Sequence, residues 1–204
     1  MTDQPLTEKD VEIIEHRVLF KSYFQLDLYR VRHRKFAGGW TDEIAREVFE
    51  RGHAAAAILY DPLLDRVALV EQFRVGALAA GRRPWMIEMI AGIIGEGESA
   101  EEVVRREALE EAGVTITDLL PIQSFLASPG GASETCTLFC GRADLSKAGG
   151  IHGLPEEQEE TRVIVLQAEE AFRLMEGGGV ENLVGLASLQ WLALNRDKLR
   201  RLWR

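Results

Sequence analysis

Cysteine is scarce in this 204-residue chain, with only Cys136 and Cys140. Two residues cannot build the disulfide framework of a small secreted protein. They lie four apart in the strand-like run Thr135-Cys136-Thr137-Leu138-Phe139-Cys140. That spacing puts them on one face but about 13 Å apart at ~3.3 Å per residue, too far to bond each other. Histidine is equally thin: His16, His33, His53 and His152 are scattered, which argues against a zinc site. No stretch approaches the ~18 apolar residues of a membrane span. The N-terminal residues mix charged with apolar side chains and hold no apolar signal-peptide core. A soluble, cytoplasmic protein is expected. Positive charge is also short, with 24 Lys+Arg against 33 Asp+Glu and a formal net charge of −9. A nucleic-acid backbone, which demands clustered Lys and Arg, is therefore a poor partner. A phosphorylated small molecule held through a metal remains compatible.

What is present is organised. At 46% hydrophobic the chain can bury a core, and its length suits one domain or one plus a small appendage. The negative charge is concentrated. Residues 98–111 hold six Glu and two Arg, and residues 156–160 read Glu-Glu-Gln-Glu-Glu, so each segment carries −4. The rest of the chain is close to neutral.

Residues 1–9 are polar and expected to fray. From Val11 to about Phe49 the pattern suits strands: Val11-Glu12-Ile13-Ile14 begins it, and Phe24 to Arg32 largely alternates apolar and polar. Gly38-Gly39 reads as a hairpin turn, which favours a strand over a helix for 41–50. Residues 53–60 and 66–74 flank Asp61-Pro62 and read as an antiparallel hairpin. Ser99 is placed to cap a helix over about 100–112, with Glu102 completing a capping box and Gly113 at the C-cap. Strands are expected over 114–126, 134–144 and 163–166, a loop over 146–160, and two closing helices near 168–176 and 182–200. The boundary near Arg51-Gly52 divides a strand-rich N-terminal subdomain, 1–50, from a mixed domain, 51–204.

On that helix Glu107 and Glu111 are four apart and share a face, with Glu110 at its border. Like charges at this spacing, near a helix C-terminus, oppose one another and the helix dipole. A divalent cation among them offsets both penalties. Without further context a solvated acidic helix face is the commoner explanation. The surrounding string adds that context: Gly92, Glu98, Arg106, Glu107, Ala108, Glu110, Glu111, Gly113 and Val114 stand at the fixed positions of a 23-residue motif. This string resembles the Nudix box, with Ala108 a small residue at an aliphatic position. The resemblance implies an α+β fold, a Nudix αβα sandwich, and hydrolysis of a nucleoside diphosphate linked to another group. It implies Mg²⁺ or Mn²⁺, two or three per site, on Glu107 and Glu111, with Glu110 a lesser candidate. It gives Arg106 and Glu98 orienting roles and makes the backbone carbonyl of Ala91 a ligand.

Beyond the box the chain is similar to the bacterial ADP-ribose pyrophosphatases over nearly its whole length. Pro129 falls 16 residues after Gly113, within the string Ser124 to Glu134. Arg51-Gly52-His53-Ala54 and Gly150-Ile151-His152-Gly153-Leu154 match as well. By that resemblance Glu157 is the catalytic base and Glu159 a further metal ligand. Tyr23 and Arg46 hold the adenine, Arg74 contacts the diphosphate and Glu134 the ribose. ADP-ribose would yield AMP and ribose 5-phosphate. A homodimer that exchanges N-terminal strands is implied too. The alternatives are a pyrophosphatase for another nucleoside diphosphate sugar such as GDP-mannose, and a non-catalytic ADP-ribose sensor. The sensor is disfavoured by the complete set of box carboxylates.

Overall fold

A computed structural model describes residues 5–154 and 158–203. The chain divides into two compact units, residues 1–53 with 126–135, and residues 54–125 with 136–204.

The first unit is a three-stranded antiparallel sheet in the order β1 (Val11–Lys21), β2 (Gln25–His33), β3 (Ile44–Glu50). The strand expected over 41–50 is present as β3, because the preceding hairpin returns the chain onto β2, pairing Val31 with Ile44 and Gln25 with Glu50. The expected fraying of 1–9 does not extend to Thr7. Its hydroxyl accepts from Lys9 N, and its N–H donates to the Asp10 carboxylate, fixing one short turn over Glu8–Asp10. The distant segment 126–135 belongs to this unit through Phe49 N–H to Gly131 O at 2.8 Å.

The second unit is an α/β/α sandwich. Its sheet runs β10 (Gly150–His152), β11 (Thr161–Gln167), β5 (Arg66–Phe73), β4 (Ala54–Asp61), β9 (Thr135–Arg142), β8 (Asp118–Leu126). Strands β4 and β5 form the expected hairpin. Asp61 shapes its turn by accepting from Leu63 N and Leu64 N at 2.9 and 3.0 Å. Period-two alternation sorts the core into layers. Ala55, Ala57 and Leu59 face α2 (Ala100–Ala112) with Val103, Val104 and Ala108, whereas Ile58, Tyr60 and Leu69 face α3 (Ala168–Glu176) and α4 (Leu183–Leu202) with Phe172, Leu189 and Leu192. Both cysteines of β9 are buried, and no disulfide forms among the described residues.

Beyond Leu59 the hairpin forks. β4 continues with β7 (Ile90–Ile93), and β5 with β6 (Trp85–Glu88). A short α1 (Val75–Ala79), without a sequence signal of its own, joins β5 to this insert. The fork sets Ala91 and Gly92 beside α2. That helix begins and ends where its caps predict: Ser99 and Glu102 exchange capping bonds, and Gly113 takes the left-handed conformation at φ 63°. Val114 N–H returns to Ala108 O at 2.9 Å, closing the cap. Two expectations shift here. Residues 114–117 are not strand, because Val114 and Ile116 finish the helix cap and fill the core beneath it. The loop expected over 146–160 contains a strand, β10, because the edge of β11 offers unpaired backbone groups that Gly150–His152 take up. No helix of the described residues is long and apolar enough to cross a membrane.

Candidate active site

The buried face of α2 carries two carboxylates into the second unit. Glu111 is 3% exposed, and Glu107 is 9% exposed. Glu111 accepts from Gln72 Nε2 and from Ala91 N–H, both at 3.1 Å. Burial dominates its electrostatics and pushes the carboxyl up to about 8, with the Glu107 charge adding to the rise. Arg74 lies close enough to work against that rise. Burial also holds Glu107 above the usual carboxylate range; Arg106 opposes the shift, while Glu110 and Glu159 add repulsion. Two desolvated carboxylates held side by side form a hard oxygen donor set, which suits a divalent cation.

Arg106 organises the exposed flank of the same face. Its guanidinium bonds Glu107 Oε1 at 2.7 Å, Glu110 Oε2 at 3.0 Å and Glu98 Oε1 at 3.1 Å. Its hydrogen bond to Glu98 is the largest influence raising the arginine's own pKa, and the same bond holds Glu98 below the ordinary carboxylate range. The loop glutamate is thereby drawn against the helix. Glu110 is committed to Arg106 rather than standing clear beside Glu107 and Glu111. Among the described residues no group of three or more His, Cys, Asp or Glu gathers as a metal cage.

Gly92 shows why the motif begins with glycine. A Cβ built there would stand 1.9 Å from Glu107 Oε1. The bare backbone is thus the cradle against which this carboxylate rests. Replacing Gly92 with alanine is expected to swing Glu107 away and weaken divalent-ion affinity about 10–100-fold. A Mn²⁺ titration beside a far-ultraviolet circular dichroism spectrum checks it; unchanged affinity with an intact helix would refute the role.

The other sequence-derived candidates are placed as follows. In the second unit, Arg74 follows β5 as the N-cap of α1 and pairs with Glu88 at 2.9 Å. Ala91 lies in β7, its N–H engaged by Glu111. Glu159 is exposed, with its N–H bonded to Leu154 O at 3.2 Å. Glu157 lies outside the described residues. In the first unit, Tyr23 is 81% exposed and stacks edge-on with Phe24. It lines a cavity of about 510 Å³ with His16, Lys21, Asp27, Tyr29 and Arg51. Arg46 stands on β3 opposite Tyr29 and bonds the Ala45 carbonyl. Glu134 faces Arg51 at 3.5 Å, and Pro129 is exposed in the turn that Ala132 N–H to Ser128 O closes.

Two participants escaped the sequence reading. Gln72 bonds Glu111, and a signal existed: it lies two residues before Arg74 on a strand, hence on the same face. Glu88, the partner of Arg74, carried no signal, because only the fork of the hairpin brings β6 alongside β5.

Residues 50–181 match the NUDIX domain family. The chain is 47% identical over 196 residues to the ADP-ribose pyrophosphatase of Escherichia coli strain K12, spanning 96% of this chain and 94% of that protein. It is 40% identical to the ADP-ribose pyrophosphatase of Haemophilus influenzae, spanning 98% of this chain and 94% of that one. The GDP-mannose pyrophosphatase of Cronobacter sakazakii is more distant, at 32% identity over 91% of this chain and 96% of its own. Among solved structures, that of an ADP compounds hydrolase superposes with a TM-score of 0.71 at 17% identity, covering 97% of this chain and 98% of that one. That likeness is one of fold.

Proposed function

The chain belongs to the NUDIX family, and on that premise we propose that it hydrolyses the diphosphate of ADP-ribose to AMP and ribose 5-phosphate. The observation that carries the proposal is the pair of buried carboxylates, Glu107 and Glu111, seated on Gly92 and Ala91 within a complete box. The names of the Escherichia coli and Haemophilus influenzae relatives, at 47% and 40% identity, supply the substrate.

Glu107 and Glu111 would hold Mg²⁺ or Mn²⁺, two or three ions per site, with Glu110, Glu159 and the Ala91 carbonyl completing the set. Bound divalent ions would neutralise the diphosphate and polarise its phosphorus. The residues of the chain do the rest. Arg106 holds Glu107 in orientation. Arg74, already close to the carboxylates, contacts the diphosphate. Glu157 takes a proton from water as the water oxygen bonds to phosphorus and the anhydride oxygen leaves with the other phosphate. Tyr23 and Arg46 grip the adenine, Glu134 the ribose, and Pro129 shapes the adjoining loop.

Residues 1–50 serve dimerisation and substrate binding, and 51–204 the hydrolase reaction. Strand β1 supports a strand-exchanged homodimer. It is an edge strand carrying Ile13 at 59% and Phe20 at 62% exposure, an apolar edge that a lone chain leaves open to pairing. The place of action is the cytoplasm. A second reading, GDP-mannose as substrate, draws on the Cronobacter relative.

The test is incubation with Mg²⁺ and a panel of nucleoside diphosphate sugars, with products identified. ADP-ribose is expected to be cleaved at least about tenfold more efficiently than GDP-mannose, a difference of ~1.4 kcal/mol in transition-state binding. The reverse order would install the second reading, and no cleavage of any member would leave a sensor.

A further inference from the structure

The loop ahead of β11 is fastened to the C-terminal end of α2 within the second unit. Gly153 N–H donates to the carbonyl of Glu110 at 3.1 Å. The imidazole of His152 lies on Gly113, where a Cβ would stand 2.5 Å from its Cε1. Only glycine leaves room for the ring, and Gly113 is already required by its left-handed φ of 63°. The ring's Nε2 is 2.9 Å from the carbonyl of Gly149. A carbonyl only accepts, so Nε2 carries the proton. One side chain therefore closes the turn of its own loop and rests that loop on the helix cap.

The fastening continues to the second acidic segment. Leu154 O accepts from Glu159 N–H at 3.2 Å. A Cβ at Gly153 would stand 2.6 Å from the Glu159 carbonyl, so the two backbones touch there too. Glu159 in turn is near enough to Glu107 to raise its pKa by repulsion.

We infer that His152 is a positioning residue: it pins the 149–154 segment, which contains β10, to the cap of α2 and so holds Glu159 beside the helix carboxylates. The inference rests on the proposed hydrolysis, in which both acidic segments serve one diphosphate. A displacement of about 1 Å in such a constellation costs on the order of 10²-fold in turnover.

The test compares His152→Ala and His152→Gln in the full chain, with Mg²⁺ and ADP-ribose and with amide hydrogen exchange in parallel. His152→Ala is expected to lose about 10²-fold in kcat with KM changed less than about threefold. Glutamine, whose amide nitrogen can reach the Gly149 carbonyl, is expected to recover at least about tenfold of that loss. The Gly153 amide should exchange at least about tenfold faster in His152→Ala while Val103 and Ala108 keep their protection. Unchanged kcat, a glutamine variant no better than alanine, or protection lost evenly across the domain would each overturn the inference. Should the wild-type protein cleave nothing, the hydrolysis reading fails by itself. Gly153 exchange then decides the pinning, and an unaltered rate would refute it.

Discussion

Glu111→Gln is expected to lose about 10²–10⁴-fold in Mg²⁺-dependent turnover while making the metal-free protein more stable above pH 5. The two effects have one cause. Glu111 is 3% exposed, and among the described residues its charge is compensated by hydrogen bonds from Gln72 and Ala91 N–H and by the nearby Arg74. Burial lifts its carboxyl from 4.5 to about 8. Below pH 4.5 both folded and unfolded chains keep the proton. Between 4.5 and about 8 the unfolded chain has released it and the folded chain has not. Stability therefore falls as pH rises through that window, at up to about 1.4 kcal/mol per pH unit. A bound cation reverses this by stabilising the ionised folded form. Glutamine keeps the shape and removes both the penalty and the ligand. Gln72, an amide that can turn, accommodates the new donor. Melting curves of metal-free protein from pH 5 to 8 check the first effect: wild type should fall markedly and Glu111→Gln remain flatter. Isothermal titration with Mn²⁺ checks the second. Equal metal affinity in both proteins would remove Glu111 from the ligand set, and parallel melting curves would show that its burial carries no cost.

Glu157→Gln is expected to lose about 10²–10⁴-fold in kcat while binding metal and substrate as before, since the amide cannot take the proton from water. The residue lies outside the described part of the chain, and its role comes from the resemblance of this acidic segment to that of the bacterial ADP-ribose pyrophosphatases. On one side His152 and Gly153 rest on the end of α2. On the other, Glu159 sits close enough to Glu107 for their charges to repel. In the sequence Glu157 stands between them in a run of acids, and a cation close to a carboxylate keeps it ionised and able to act as base. The discriminating observation is the contrast with the helix variants. Glu157→Gln should keep wild-type Mn²⁺ affinity, whereas Glu111→Gln should lose it. Near-wild-type turnover would place the base elsewhere, on the helix carboxylates themselves.

The two variants rest on differently legible parts of the sequence. The α2 helix was readable to the residue, because its signals are local: Ser99 and Glu102 cap one end and Gly113 the other. Spacing of three and four residues also set Glu107 and Glu111 on one face. The hairpin at Asp61-Pro62 and the closing helix α3 were legible for the same reason. Strand β10 was not, since a three-residue strand beside glycines owes its existence to the edge of β11. The same holds for the late start of β8, where Val114 and Ile116 serve the core instead of a ladder.

By itself, then, the sequence determined the chemistry available: which carboxylates share a helix face, where the acids cluster, and which glycine begins the motif. These follow from covalent spacing and the periods of helix and strand. Tertiary structure alone decided how that chemistry is tuned. Packing α2 on the forked sheet buries Glu111 and raises its pKa, brings Gln72 and Ala91 to Glu111 from other strands, and sets Glu107 against Gly92. It also seats His152 on Gly113 across 39 residues of chain. Burial and long-range contact are properties of the packed fold, and no local pattern encodes them.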